Sequence, residues 1–279
     1  MDPATIVGIL IAFGSLYAMI TLEHASVSAL LLPAPMVLVF GATLAIGIAG
    51  GTLKDFIVAV KAVPPAMKGK TVPAQDTIDS VVVLAEKARS EGLLALEEEA
   101  STATDPFLRG ALQNIADGTD GEELREILED EIESASQTNR TASKFFASLG
   151  GYAPTVGIIG TVVSLTHVLE NLSSPDKLGP MIAAAFVATL WGLLSANFLW
   201  LPIGTRIKRL GEMEIARMTL LMEGVLAVQA GSQPRLLGER LKAMVPQHEQ
   251  GKSGKAGKDA GKKAKGSDEA ITEQGQAAA

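Results

Sequence analysis

Residues 150–202 read GGYAPTVGIIGTVVSLTHVLENLSSPDKLGPMIAAAFVATLWGLLSANFLWLP, two long apolar runs joined by a short polar link. Each run approaches the roughly 20 residues that a helix needs to cross a bilayer, so the stretch predicts a helical pair in lipid. Neither run carries Asp, Glu, Lys or Arg, while Pro154, Thr161, Thr189, Asn197 and Pro202 stand among Gly, Ala and branched apolar residues. This is a polar seam with no charge of its own. A carboxylate from another chain can use it.

Composition agrees. The chain has 279 residues, 47% of them hydrophobic, and its mean hydropathy is +0.27. The apolar residues fall in blocks instead of at amphipathic spacing, which predicts an all-α integral membrane protein. Cysteine is absent, excluding disulfides, thiolate chemistry and cysteine-ligated metals. The net charge of −7 conceals an acidic middle: residues 76–144 hold 17 acidic and 6 basic side chains. An acidic middle argues against a nucleic-acid partner, which needs a basic face.

The residues from Pro3 to Leu22 are uncharged, with Asp2 ahead and Glu23-His24 behind. A cleaved signal peptide wants a basic start and a small-residue exit, so this reads as a retained span. A second uncharged run covers 25–53, with Pro33 and Pro35 at its start, where proline suits a first helical turn. Lys54, Lys61, Lys68 and Lys70 follow it, Arg140 and Lys144 precede the third run, and Arg206, Lys208 and Arg209 follow the fourth. By the positive-inside rule the middle segment and the C-terminus are cytoplasmic, and four spans then put the N-terminus there too.

The expected organisation is a transmembrane hairpin over 1–53, a cytoplasmic helical lobe over 54–144, a second hairpin over 145–205, cytoplasmic helices over 206–245 and a disordered tail over 246–279. The lobe shows helical periodicity over 77–100 and in EELREILEDEIESA, where acids fill the outer face. Pro64-Pro65 and Pro73 are expected to break the chain before it. The tail is Gly-, Lys- and Gln-rich, and its cluster over 252–265 reads either as a solvated tail without a role or as a basic face for anionic membrane lipid.

Motifs for catalysis fail. Gly69-Lys70-Thr71 and Gly251-Lys252-Ser253 imitate the end of a phosphate loop, but Pro64 and Pro246 stand where its first glycine belongs. His24, His167 and His248 share no ligand spacing, so neither a metal nor a cofactor is expected. The chain does not read as an enzyme.

Two readings stand for the polar residues of the seam. Thr161 and Thr189 either bond their own helix backbone and pack, or line an ion path completed by a partner's carboxylate. Pro154 and Pro202 either begin and end their helices, or form a flexible collar at one membrane depth, each removing a backbone hydrogen bond.

The stretch APTVGIIGTVVSLTHVLENLSSPDKLGPMIAAAFVATLWGLLSANFLWLPI resembles the third and fourth membrane helices of MotA-type flagellar stator subunits, in the wider MotA/TolQ/ExbB proton channel family. MDPATIVGILIAFGSLYAMITLEHASVSALLLPAPMVLVFGAT is similar to the first hairpin of that family, and the likeness covers about residues 1–245. The resemblance implies a homo-oligomeric ring, a pentamer, in the bacterial inner membrane. The ring would surround a MotB-like single-span partner whose membrane aspartate carries H+ or Na+. Pro154 and Pro202 then fall on the prolines of conformational coupling. In ARSEGLLALEEE, Arg89 and Glu97 fall on the charges that engage a FliG-like rotor protein; without the resemblance they are charges on a solvated helix. Thr161 and Thr189 match hydroxyl positions of sodium-driven members, although Ala188 and Ser164 depart from their pattern. The alternative is a TolQ- or ExbB-like energiser of an envelope complex, but such relatives have three spans and a long amino-terminal region.

Overall fold

A computed structural model describes residues 4–24, 26–69 and 71–247. The expected tail, with its Lys-rich cluster and His248, lies almost wholly outside the described residues. All regular structure in the described residues is helical. The chain forms two compact units, one from Met1–Thr71 with Glu129–Ala216, the other from Val72–Leu128 with the chain beyond Arg217.

The first unit is built on apolar helices: α1 (Ala4–Leu22), α2 (Pro33–Ala49), α3 (Leu53–Lys68), most of α7 (Gly121–Glu170), α8 (Pro175–Leu194) and the start of α9 (Leu201–Gln229). Two helical runs, Gly121–Glu170 and Pro175–Gln229, are long and apolar enough to cross a membrane, and the apolar stretches Ile6–Leu22 and Pro33–Ala49 are shorter. Their outer faces carry bare apolar side chains: Leu10, Val37, Val163, Leu169 and Phe186 are each more than 60% exposed. A water-soluble unit would bury such a belt. Lipid or neighbouring subunits suit it.

Several expectations about boundaries change. Pro64 and Pro65 do not break the chain but lie inside α3, which starts on a Thr52–Asp55 capping box and stops at left-handed Gly69. The bonds the prolines remove are offset by burial of Ala59 and Ala66 against Phe145, Phe146 and Leu149. That packing also groups α3 and residues 129–144 with the apolar helices in one compact unit. The third apolar run is no separate helix starting at Gly150-Gly151. It is the far end of the 50-residue α7, and Pro154 lies in its interior. Pro202 likewise ends nothing: a π turn over Ser195–Trp200 leads into α9, and the chain stays helical to Gln229.

The second unit holds α4 (Ala74–Glu91), α5 (Leu96–Thr102), α6 (Pro106–Ala116), residues 121–128 of α7, residues 217–229 of α9 and α10 (Pro234–Met244). Ile78, Val81, Leu112, Leu124, Leu221 and Leu241 are almost wholly buried within it. The single helix expected over 77–100 is cut at Gly92, whose φ of 88° only glycine adopts freely. Asp105 caps α6 and pairs with Arg217, and Glu223 joins Arg125 at 2.9 Å and Arg240 at 3.0 Å.

In the first unit α7 and α8 approach until only glycine fits. A Cβ at Gly192 would lie 2.7 Å from the Ala153 carbonyl oxygen, and one at Gly157 would lie 2.9 Å from that of Ala188. Small residues at such crossings bring helix backbones together in lipid. Gly192→Val is expected to lower stability by about 1 to 3 kcal/mol through overpacking. Gly41→Ala, at a position open to its surroundings, should cause no loss. Thermal unfolding of both purified variants checks this.

Candidate functional site

The close crossing determines what the seam can be. Four residues beyond Gly157 comes Thr161, and Ala185 precedes Thr189 by the same interval, so both threonines face the contact. Their hydroxyls are hydrogen-bonded to each other. The Thr161 Oγ1 also lies 3.1 Å from the carbonyl oxygens of Gly157 and Ala185. Four oxygens therefore cluster in a half-buried spot between two membrane helices. Two hydroxyl protons suffice to satisfy the knot: Thr189 donates to Thr161, and Thr161 donates to a carbonyl. Both readings of the sequence meet here, since the threonines bond backbone and also gather oxygens.

The other polar residues of the seam stand apart. Asn197 is exposed and donates its amide to the Leu193 carbonyl at 2.9 Å. His167 lies at the far end of α7, with Glu170 at 3.5 Å and the amide of Asn171 at 3.4 Å. Among the described residues no cluster of His, Asp and Glu is fit to hold a metal.

Pro154 and Pro202 are both half-buried. Each lacks the backbone N–H that a helical bond needs, and in α7 this frees the carbonyl of Gly150. They are not level, as the collar reading expects. Leu201, beside Pro202, lies on Gly150, which precedes Pro154 by four residues, about 6 Å of helix. Gly204, two residues past Pro202, lies on Ser143, Phe146 and Ala147, so the collar is a staircase of between one and two turns. Beside Pro202 sits the π turn over Ser195–Trp200, which the sequence did not announce. Such turns occur mostly as single-turn bulges inside α-helices, frequently at functional sites.

The second unit carries the charged corner. Arg89 ends α4, Glu97 begins α5, and both are exposed; neither has an ion pair among the described residues. Between them Gly92 and a single turn, Leu93–Ala95, fold the chain back, with Leu94 bare at the tip, 73% exposed. Three consecutive glutamates follow, and sequence alone cannot rank them. The structure does: Lys87 Nζ bonds Glu98 at 2.9 Å and Glu99 at 2.8 Å, which leaves Glu97 unclaimed. The hydrogen bonds to Glu99 and Glu98 raise the pKa of Lys87, and Lys87 in turn lowers that of Glu98. Lys87 escaped the sequence reading because its partners lie 11 and 12 residues on, beyond the one-turn spacing that pattern reading detects.

These features define an all-helical membrane subunit whose oxygen-lined seam holds no acid. Residues 99–220 match the MotA/TolQ/ExbB proton channel family, and residues 6–92 match the motility protein A N-terminal region. Similar proteins include Motility protein A of Bacillus subtilis (strain 168), 32% identical over 88% of this chain and 92% of that protein. Chemotaxis protein PomA of Vibrio alginolyticus is 30% identical over 87% of this chain and 94% of its own. Among solved structures, C. jejuni MotAB aligns with a TM-score of 0.84 at 26% identity, covering 88% of this chain and 97% of that one. The flagellar MotAB stator complex from Bacillus subtilis aligns with a TM-score of 0.84 at 30% identity, covering 91% and 100%. The chain belongs to the motility protein A branch of the MotA/TolQ/ExbB proton channel family, which comprises channel subunits and not enzymes.

The Lys87 clamp makes a checkable statement about the corner. A carboxylate with a lowered pKa stabilises above its ordinary range, and that contribution is lost as pH falls through the lowered value. Protection of residues 93–99 against hydrogen exchange, corrected for intrinsic rates, should therefore persist somewhat below the ordinary carboxylate range. Lys87→Met should abolish that protection at neutral pH and Lys87→Arg should keep most of it.

Proposed function

We infer that this chain is the ring-forming subunit of a flagellar motor stator, coupling an ion flux to torque. The observation that carries this reading is the end-to-end likeness to motility protein A combined with an oxygen-lined, acid-free seam between α7 and α8. The likeness over residues 6–92 to the motility protein A N-terminal region favours a motor over an envelope energiser.

The subunit crosses the inner membrane four times, with both termini in the cytoplasm. At 1.5 Å per residue the 19 residues of α1 and the 17 of α2 reach about 28 and 25 Å. A hydrocarbon core of about 30 Å is within their reach when flanking residues contribute. Several copies, five in our reading, surround a MotB-like partner that supplies one membrane aspartate. A bare carboxylate there is costly, so it holds a proton or pairs with Na+, and its fit to the Thr161–Thr189 knot changes with its charge. The four oxygens suit a desolvated Na+; H+ needs only the carboxylate.

Each change of fit moves α7 and α8 at Pro154, the π turn and Pro202, where backbone bonds are already missing. The exposed pair Arg89 and Glu97 then meets complementary charges on a FliG-like rotor protein, which such pairs steer and register more than they bind. Arg89→Glu and Glu97→Lys are each expected to impair swimming strongly while leaving the protein at wild-type level in the membrane. Swimming tracks and membrane immunoblots report the two quantities. Unchanged swimming in both variants contradicts the rotor contact.

A further inference from the structure

One feature of the first unit serves neither the threonine knot nor the charged corner. Between the first half of α1 and the passage from the π turn into α9 lies a groove of about 560 Å³, within the range of small-ligand sites. Gly8 and Ala12 keep its α1 wall low, Phe198 and Leu201 form the facing wall, and Arg206 and Arg209 stand at one end. A Cβ placed on Gly8 would meet nothing within 4 Å. Phe198 is held by an edge contact with Phe13, their ring centres 5.4 Å apart.

The groove is mostly apolar, with Asn197 and Thr205 as polar exceptions, and cationic at one end. Phe198 and Arg206 are eight residues apart, about 12 Å of helix. One leaflet of hydrocarbon is about 15 Å deep. With Arg206 and Arg209 at the cytoplasmic surface, where the four-span topology above puts them, the apolar part points toward mid-membrane. Each guanidinium has five N–H donors in a fork suited to phosphate. Arg206 uses one on the Ala66 carbonyl at 3.5 Å, and both arginines also have partners within the protein.

We propose that this groove holds one acyl chain of an anionic phospholipid from the cytoplasmic leaflet, with its phosphate bound by Arg206 and Arg209. The inference rests on the topology proposed above. It adds a ligand to the subunit and places it against Phe198, Leu201 and Pro202, beside the π turn. Lipid composition would then bear on the part of the fourth helix that has to yield.

The test is native mass spectrometry of the chain with its partner, released from bilayers of equal phosphatidylglycerol and phosphatidylcholine. Retention of phosphatidylglycerol over phosphatidylcholine, up to one per chain, is expected. An arginine at an anionic surface contributes about fivefold in affinity, so Arg206→Gln with Arg209→Gln should cut retention about 25-fold. Gly8→Leu, which fills the groove and leaves the charges, should also cut it, and inorganic phosphate should not displace the lipid. Equal retention of both lipids overturns the proposal, as does full retention by Gly8→Leu. So does a disulfide forming between copies with Gly8→Cys and Leu201→Cys, which would put a second chain in the groove. Lys208→Cys, probed from outside with a membrane-impermeant maleimide, tests the topology separately.

Discussion

Everything in the membrane unit depends on how closely α7 passes α8. Gly157 and Gly192 allow their backbones to touch, and only at that distance can the Thr161 and Thr189 hydroxyls reach each other and two carbonyls. Separate the helices by the width of a valine and the oxygens no longer form one cluster. In lipid no hydrophobic force draws two apolar helices together, so packing and interhelical hydrogen bonds have to do it. The same contact that holds the helices also makes an oxygen-lined place between them.

Near that contact the fold is loosened. Pro154 lies inside α7 and Pro202 follows a π turn, two places where backbone bonds are lost or shifted on adjoining helices. In a solvated helix an interior proline costs about 3 kcal/mol or more. Here burial of Leu149, Ala153 and Val156 on α7 and of Leu194 and Ala196 on the other side offsets it. A helix kept straight by packing against its neighbours, and not by its own hydrogen bonds, bends when those neighbours move. The charged corner of the second unit is the opposite kind of device. Lys87 grips Glu98 and Glu99, so Arg89 and Glu97 project from a braced turn.

How much of this the sequence disclosed follows from the range of each interaction. The apolar blocks and the helical class were legible, because composition and periodicity act locally; that the Thr161 and Thr189 hydroxyls meet is seen only in the structure. Pro64-Pro65 was misread as a break, and of the two readings open for Pro154 and Pro202 the one that made them helix ends failed. Pro64, Pro65, Pro154 and Pro202 all sit within helical stretches, since tertiary packing overrode the local preference, and no local pattern encodes that packing. The π turn gave no signal for the same reason. Gly92 was visible as a residue but not as a break, because its φ of 88° depends on how α5 folds back on α4.

The central claim is that the seam conducts only when another chain lends it an acid. Ion flux into vesicles holding the purified chain alone, compared with vesicles holding the chain and a MotB-like partner, tests this most directly. Flux at the level of empty vesicles for the chain alone, and above it with the partner, is the predicted result. Proton or sodium flux through the chain alone would contradict the account.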